Sequence, residues 1–316
     1  MNLMRKMFVK TLLELCEANP QLMVVTADLG YSVFEQFIQA KPRNYLNVGV
    51  AEADMIGISA GLALSGKQPI AYSITPFATA RCLEQIRMDI CYHELPVIIV
   101  GTGAGLSYGT LGPTHHGTED LALMRALPNM TVTAPCDSHE LSQVFRQLFE
   151  SKKPGYMRIG RSHEPEVYTS GDKPLVALGK GSIVSDFGNE FAIISCGNLV
   201  SAGLQAAESL KANGVKGKLV SMHTIKPLDG KLITELGAKM PIITLEEHSL
   251  IGGLGSAVAE CLMDSGVSPP AFRRLALPDS FQKKIGTQEF LRKANGIDAQ
   301  SVEKEILRLL KQAFFL

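Results

Sequence analysis

The sequence predicts an α/β protein built from two doubly wound domains. Short β-rich runs alternate with helical patterns, the alternation breaks once at a stretch rich in proline and glycine, and it then begins again. In the first half, Leu22–Thr26, Ile70–Ser73, Val97–Val100 and Thr131–Thr133 read as strands, with helices expected near 2–18, 52–65, 78–93 and 137–150. Strands joined through helices run parallel. The break falls at 162–180, where Pro165, Gly171, Pro174 and Gly179 interrupt both periodicities. Phe191–Ser195, Leu219–Met222, Ile242–Leu245 and a weaker run at 271–276 restart the series, each trailed by a helix. These breaks place a first domain at 1–165, a linker at 166–181 and a second domain at 182–316; the 316 residues are enough for two cores.

Charge is balanced, with 31 Lys+Arg against 31 Asp+Glu, so no strongly basic or acidic field marks a nucleic-acid partner. The six cysteines lie far apart without a Cys-x-x-Cys pair, which argues against a zinc site or a disulfide framework and for reduced thiols. The N-terminus lacks an apolar signal core, and the hydrophobic runs are too short or too broken by glycine to cross a bilayer. A cytoplasmic protein with no membrane segment is the expectation.

Within this frame the segment 47–66 stands out, because Glu52 opens a helix whose body, Met55 to Leu64, carries no charge. The sequence leaves that helix no polar stripe, so burial on most sides is expected. A carboxylate at its mouth either neutralises, pairs with the helix N-terminus, or makes a strong hydrogen bond to a ligand. The stretch Gly101–Asp120 follows the strand Val97–Val100 and packs five glycines into twelve residues. It must be a loop at the carboxyl end of a parallel strand, where open α/β sheets bind ligands. It satisfies neither the Gly-x-Gly-x-x-Gly nor the Walker spacing. His115 and His116 lie in it. Phe77 follows the strand Ile70–Ser73, and Arg81 and Glu84, three apart, are expected to pair on a helix surface.

Taken together, residues 47–66, the block Gly112-Pro-Thr-His115 with Leu123–Asn129, and Ile74-Thr-Pro-Phe77 resemble the transketolase family. The resemblance implies that Glu52 meets the aminopyrimidine ring of thiamine diphosphate and favours deprotonation of its thiazolium carbon, with the cofactor acting as its own base. It implies that Phe77 stacks on that ring, that Asp28 and Leu29 border the cofactor, and that His115 faces the substrate. Where the family has a second aromatic, this chain has Ile74. Arg5, Ser32 and Arg161 match sugar-phosphate contacts, a role suited to guanidinium geometry. Leu111 stands where transketolases usually carry an aspartate that reads a donor hydroxyl, so donor identity or stereochemistry is expected to differ.

The family holds the diphosphate and Mg²⁺ with a Gly-Asp-Gly motif. That motif does not occur in these 316 residues, and the nearest string, Ser170-Gly-Asp-Lys173, lies in the linker. The resemblance covers the second half of a full-length transketolase, which implies a separate Gly-Asp-Gly-bearing partner and an α₂β₂ heterotetramer. His223–Asp229, Glu246-Glu-His248, Gly252–Ser256 and Leu277–Phe281 resemble the family's terminal domain, also found in 2-oxo acid dehydrogenase β subunits. Gly252–Gly255 reads as tight helix–strand packing, and His223 and His248 as structural or interfacial. The expected function is two-carbon ketol transfer between sugar phosphates. The alternatives are the β subunit of a 2-oxo acid decarboxylating dehydrogenase, a deoxyxylulose-phosphate-synthase-like enzyme, and a non-enzymatic protein retaining the fold.

Overall fold

A computed structural model describes residues 3–161, 164–169 and 173–314. Ser170–Asp172, which include most of the linker string above, lie outside the described residues. Among these described residues twelve strands form two sheets: β1 Leu22–Thr26, β2 Tyr45–Asn47, β3 Gln68–Ile74, β4 Ile98–Thr102, β5 Thr131–Thr133, β6 Gly155–Ile159, β7 Ser182–Asp186, β8 Ala192–Ser195, β9 Lys218–Ser221, β10 Thr224–Lys226, β11 Ile242–Ser249 and β12 Phe272–Leu277. The first sheet has the order β10-β5-β6-β4-β3-β1-β2 and the second β12-β11-β8-β9-β7. All neighbours pair parallel except β10 with β5 and β7 with β9.

Helices cover both faces of the first sheet. Successive strand residues point to opposite faces, so in β1 Val24 packs with Phe8, Leu12 and Phe145 on one side while Val25 packs with Met55 and Ile56 on the other. The second of these cores continues into Val220, Met222, Leu254 and Val258, so the two sheets share buried apolar contacts. The edge strand β10 strengthens that union. It lies in the second half of the sequence yet completes the first sheet beside β5, where Lys226 Nζ donates to the carbonyls of Arg125 and Leu127 at 3.0 and 2.5 Å.

Two sequence expectations need correction. The segment 78–93 is not one regular helix: a short helix at Thr75–Ala78 gives way to a 3-10 turn at Ala80–Cys82 and a wide π turn at Ile86–Cys91. Thr79, at φ −121° and ψ −78°, breaks the run. The helix Glu52–Leu64 is buried on one face only, through Met55, Ile56, Ser59, Ala60 and Ala63. Away from that face Leu64 is 71% exposed and Ile58 is also exposed, and Val50 just before the helix is 78% exposed. In the linker, described residues are held by the helix Ser138–Ser151: its Asp137 cap takes the backbone N–H of Val167 and Tyr168, and its Gln143 and Gln147 take those of Val176 and Leu178.

The glycine block at 252–255 serves packing. Glu246 Oε2 accepts from Leu254 N and Oε1 from Gly255 N, both at 2.7 Å, so a buried carboxylate caps the helix Leu254–Asp264. A Cβ at Gly253 would lie 2.1 Å from Glu246 Oε2. No helix is long and apolar enough to cross a membrane among the described residues.

Candidate active site

The carboxyl ends of β1, β3 and β4 bring the candidate residues together. Glu52 begins its helix immediately after the Ala51 cap, and its side chain is 4% exposed. A carboxylate desolvated to that degree needs a partner. Arg81 supplies it, with Nη1 donating to Glu52 Oε2 at 2.6 Å. This overturns the expected surface pair, since Glu84 lies instead 3.5 Å from Arg87. The guanidinium carbon of Arg81 also sits 4.2 Å from the centre of the half-buried Phe77 ring, within cation–π range.

From Phe77 the contacts run on through the glycine-rich loop. The Phe77 and His115 rings meet edge to face at 5.2 Å, and His115 and Tyr108 lie 5.9 Å apart. Arg161 Cζ stands 4.5 Å over Tyr108. Tyr108 and Arg161 then border a cleft of about 210 Å³ that also takes in Arg5, Leu29, Ile74 and Thr102. Arg5 and Arg161, far apart in sequence, therefore share one cleft. Arg5 Nη2 donates to Thr102 Oγ1 at a long 3.4 Å.

Ser32 and Asp28 are placed less directly. Ser32 is exposed with φ +59°, and its backbone N–H donates to Glu35 Oε1 at 2.6 Å. Asp28 is exposed, with Asn47 Oδ1 taking its N–H and Asn47 Nδ2 reaching its carboxylate. Neither lines the cleft, whereas Leu29 does. Leu111 is 49% exposed at the turn that precedes Gly112.

The loop's conformation depends on glycine at two positions above all. Gly103 has φ +83°, and a Cβ there would lie 2.0 Å from the Tyr108 ring; a Cβ on Gly117 would strike Thr75 at 2.5 Å. Burial followed by the nearby charge of Arg81 lowers the pKa of His115, so its ring is neutral at pH 7. Its Nδ1 is 2.9 Å from Thr114 Oγ1. His116 is buried, and its pKa is lowered by burial first.

Beneath the loop lies a polar scaffold that sequence reasoning missed. Tyr156 OH donates to Asp120 Oδ2 at 2.6 Å, and Arg158 Nε stands 3.2 Å from the same oxygen. Arg158 Nη2 donates to the carbonyls of Gly117 and Glu247 at 2.6 and 2.7 Å. Glu247 Oε1 accepts from Leu106 N at 2.6 Å and Gln288 Nε2 at 2.7 Å, while its other oxygen meets Arg292. His223 and His248 are fully buried at the junction of the two halves, where Ala134 N donates to the His223 carbonyl and Ala122 N to His248 Nε2. Among the described residues no three His, Cys, Asp or Glu side chains gather in a way that could hold a metal ion.

The pyrimidine-binding domain model of transketolases matches residues 2–165, and the transketolase C-terminal domain model matches residues 179–302. The chain belongs to the transketolase family. It is 39% identical to a putative transketolase C-terminal section of Methanocaldococcus jannaschii, covering 98% of this chain and 96% of that one. It is 36% identical to an apulose-4-phosphate transketolase subunit of Phocaeicola vulgatus, covering 98% and 97%. Among solved structures, a split gene transketolase described as an inactive beta4 tetramer superposes with a TM-score of 0.87 at 35% identity, covering 98% of each chain. These transketolase relatives match this chain over nearly their whole length, so it is similar to one subunit of a split enzyme.

Proposed function

We propose that this transketolase chain is the pyrimidine-binding subunit of a split enzyme, active only with a partner that carries Gly-Asp-Gly, binds the diphosphate and Mg²⁺, and joins it in a cytoplasmic α₂β₂ heterotetramer. The boundaries 1–165, 166–181 and 182–316 are part of that proposal. The observation that carries it is that a single flat side chain, Arg81, reaches both the buried Glu52 at a helix N-terminus and the ring of Phe77. A buried carboxylate and a half-buried aromatic ring that one planar cation spans, with the aliphatic Ile74 three residues before Phe77, fit a planar, hydrogen-bonding ring. Thiamine diphosphate, when bound, supplies the nucleophilic carbon and the electron sink of ketol transfer.

This chain's residues have four tasks. Glu52 holds a proton shared with the aminopyrimidine; such a charge-assisted bond is worth about 1.5–3 kcal/mol. Phe77 offers its face, adding about 0.5–1.5 kcal/mol. His115, neutral and edge-on to Phe77, can give or take a proton at a substrate hydroxyl. Arg5 and Arg161 supply fork-shaped donors for a phosphate in their common cleft, with Ser32 at its margin. The apolar side chains of Val50, Ile58 and Leu64 are exposed in a single chain and suit burial against a partner.

The test is assembly. Alone, the purified chain should bind thiamine diphosphate weakly and transfer no ketol group. Mixed with the Gly-Asp-Gly partner it should sediment as α₂β₂ and become active. Tight, Mg²⁺-dependent binding of the cofactor by the isolated chain in calorimetry would overturn the split-site reading. Release of CO₂ from pyruvate by the complex would favour the 2-oxo acid dehydrogenase reading instead.

Donor choice gives a smaller effect. An aspartate at position 111 would read a donor hydroxyl, and because Leu111 is half-exposed a restored hydrogen bond is worth about 0.5–1.5 kcal/mol. Leu111→Asp is expected to shift relative kcat/KM toward xylulose 5-phosphate by up to about tenfold. A wild type that already prefers that sugar, with a ratio unmoved by the substitution, would dismiss Leu111 as a selector.

A further inference from the structure

Two properties make a side chain able to stand in for an aminopyrimidine: a flat cationic or aromatic plane to lie on Phe77, and a hydrogen-bond donor to reach Glu52. Arg81 has both and uses both. Its guanidinium carbon lies 4.2 Å from the Phe77 ring centre, while Nη1 donates to Glu52 Oε2 at 2.6 Å. A guanidinium is planar and stacks on aromatic rings, which an ammonium cannot do. The Glu52 carboxylate has no other hydrogen-bond partner among the described residues. The pair is also asymmetric, because the Glu52 side chain is 4% exposed whereas that of Arg81 is 47% exposed.

We propose that Arg81 is a placeholder, its guanidinium filling the position between Phe77 and Glu52 that the aminopyrimidine ring takes, so that it must swing outward before the ring enters. The inference rests on the cofactor reading given above. The half-exposed side chain already opens to solvent. Thr79 breaks the regular helix between Phe77 and Arg81, so the guanidinium is carried on an irregular turn rather than on the helix that bears Glu52. While Arg81 is in place, it neutralises a buried acid that would otherwise be costly to keep charged. Entry of the ring exchanges one partner of Glu52 for another. The energetic cost of removing Arg81 from this position is then deducted from the affinity for the cofactor.

The test uses the isolated full-length chain and 4-amino-2-methylpyrimidine as a probe, with binding followed by ligand-observed NMR. Arg81→Ala is expected to bind the probe at least tenfold more tightly than wild type. Arg81→Lys should fall between them, because it keeps the charge near Glu52 and loses the flat stack. Arg81→Gln serves as a second neutral variant should the alanine protein fold poorly, as judged by circular dichroism. Equal or weaker binding by the neutral variants would overturn the proposal and mark Arg81 as a residue that merely positions Glu52. If no variant binds the probe while the assembled complex still binds thiamine diphosphate, the placeholder idea falls and the cofactor reading stands. If the complex also fails to bind thiamine diphosphate, both fall.

Discussion

Glu52→Gln is expected to slow exchange of the thiazolium proton of thiamine diphosphate in the assembled enzyme by roughly 10²-fold or more, within the range that positioned proton transfer supplies. Cofactor affinity should fall less, by about tenfold, because only part of one charge-assisted hydrogen bond is lost from a large contact. Glutamine keeps the volume and the acceptor oxygen of Glu52. It removes the charge that makes the bond strong and the basicity that lets the group share a proton. The fold should tolerate the change. A neutral amide is cheaper to bury than the carboxylate, which offsets the lost pair with Arg81, so urea unfolding of the isolated variant should stay within about 1 kcal/mol of wild type. Quenched-flow NMR of the cofactor's exchanging proton is the measurement. Exchange at the wild-type rate would reduce Glu52 to a charge at a helix end.

The parts of this site that were legible in the sequence are those encoded locally. A charged residue at the mouth of an apolar helix, a burst of glycines after a strand, and a phenylalanine just beyond β3 each leave a mark within a few residues. The alternation of strand and helix pointed to parallel sheets for the same reason. What stayed hidden depends on distance in the chain. The expected pairing of Arg81 with Glu84 followed from helical spacing, but the segment is not a regular helix, and the buried Glu52, 29 residues away, takes the guanidinium instead. A buried acid outcompetes an exposed one for a cation because it has no water to fall back on.

The same limit explains β10. Three residues, Thr224–Lys226, followed by Pro227, read as a loop by any periodicity, and only a neighbouring edge at β5 turns them into a strand. The exposed face of the helix Glu52–Leu64 was misread for a related reason. An apolar helix surface looks the same in sequence whether its own chain or another covers it. Val50, Ile58 and Leu64 are the apolar side chains that this chain's own fold leaves exposed there.

Asp120→Ala is expected to destabilise the isolated chain by about 3–5 kcal/mol, the cost of stranding a buried cation. Asp120 and Arg158 are both almost wholly buried, with Arg158 Nε 3.2 Å from Asp120 Oδ2 and Tyr156 OH donating to that oxygen at 2.6 Å. Alanine removes the carboxylate at this point and leaves Arg158 to the backbone carbonyls of Gly117 and Glu247. Asp120→Asn should cost less, since its amide oxygen still accepts from Tyr156 while the charge is lost. Urea midpoints of the two variants measure the difference. A loss below about 1 kcal/mol for Asp120→Ala would mean that Arg158 finds another anion or reaches water. The effect should not stop at stability, because Arg158 also grips the carbonyl of Gly117, two residues after His115. Loosening that grip lets the loop drift, and misplacement of a catalytic group by about 1 Å can cost roughly 10²-fold in rate. In the assembled enzyme Asp120→Asn should therefore lose more in kcat than its modest loss of stability explains, with Arg158 acting on the chemistry only through the position of His115.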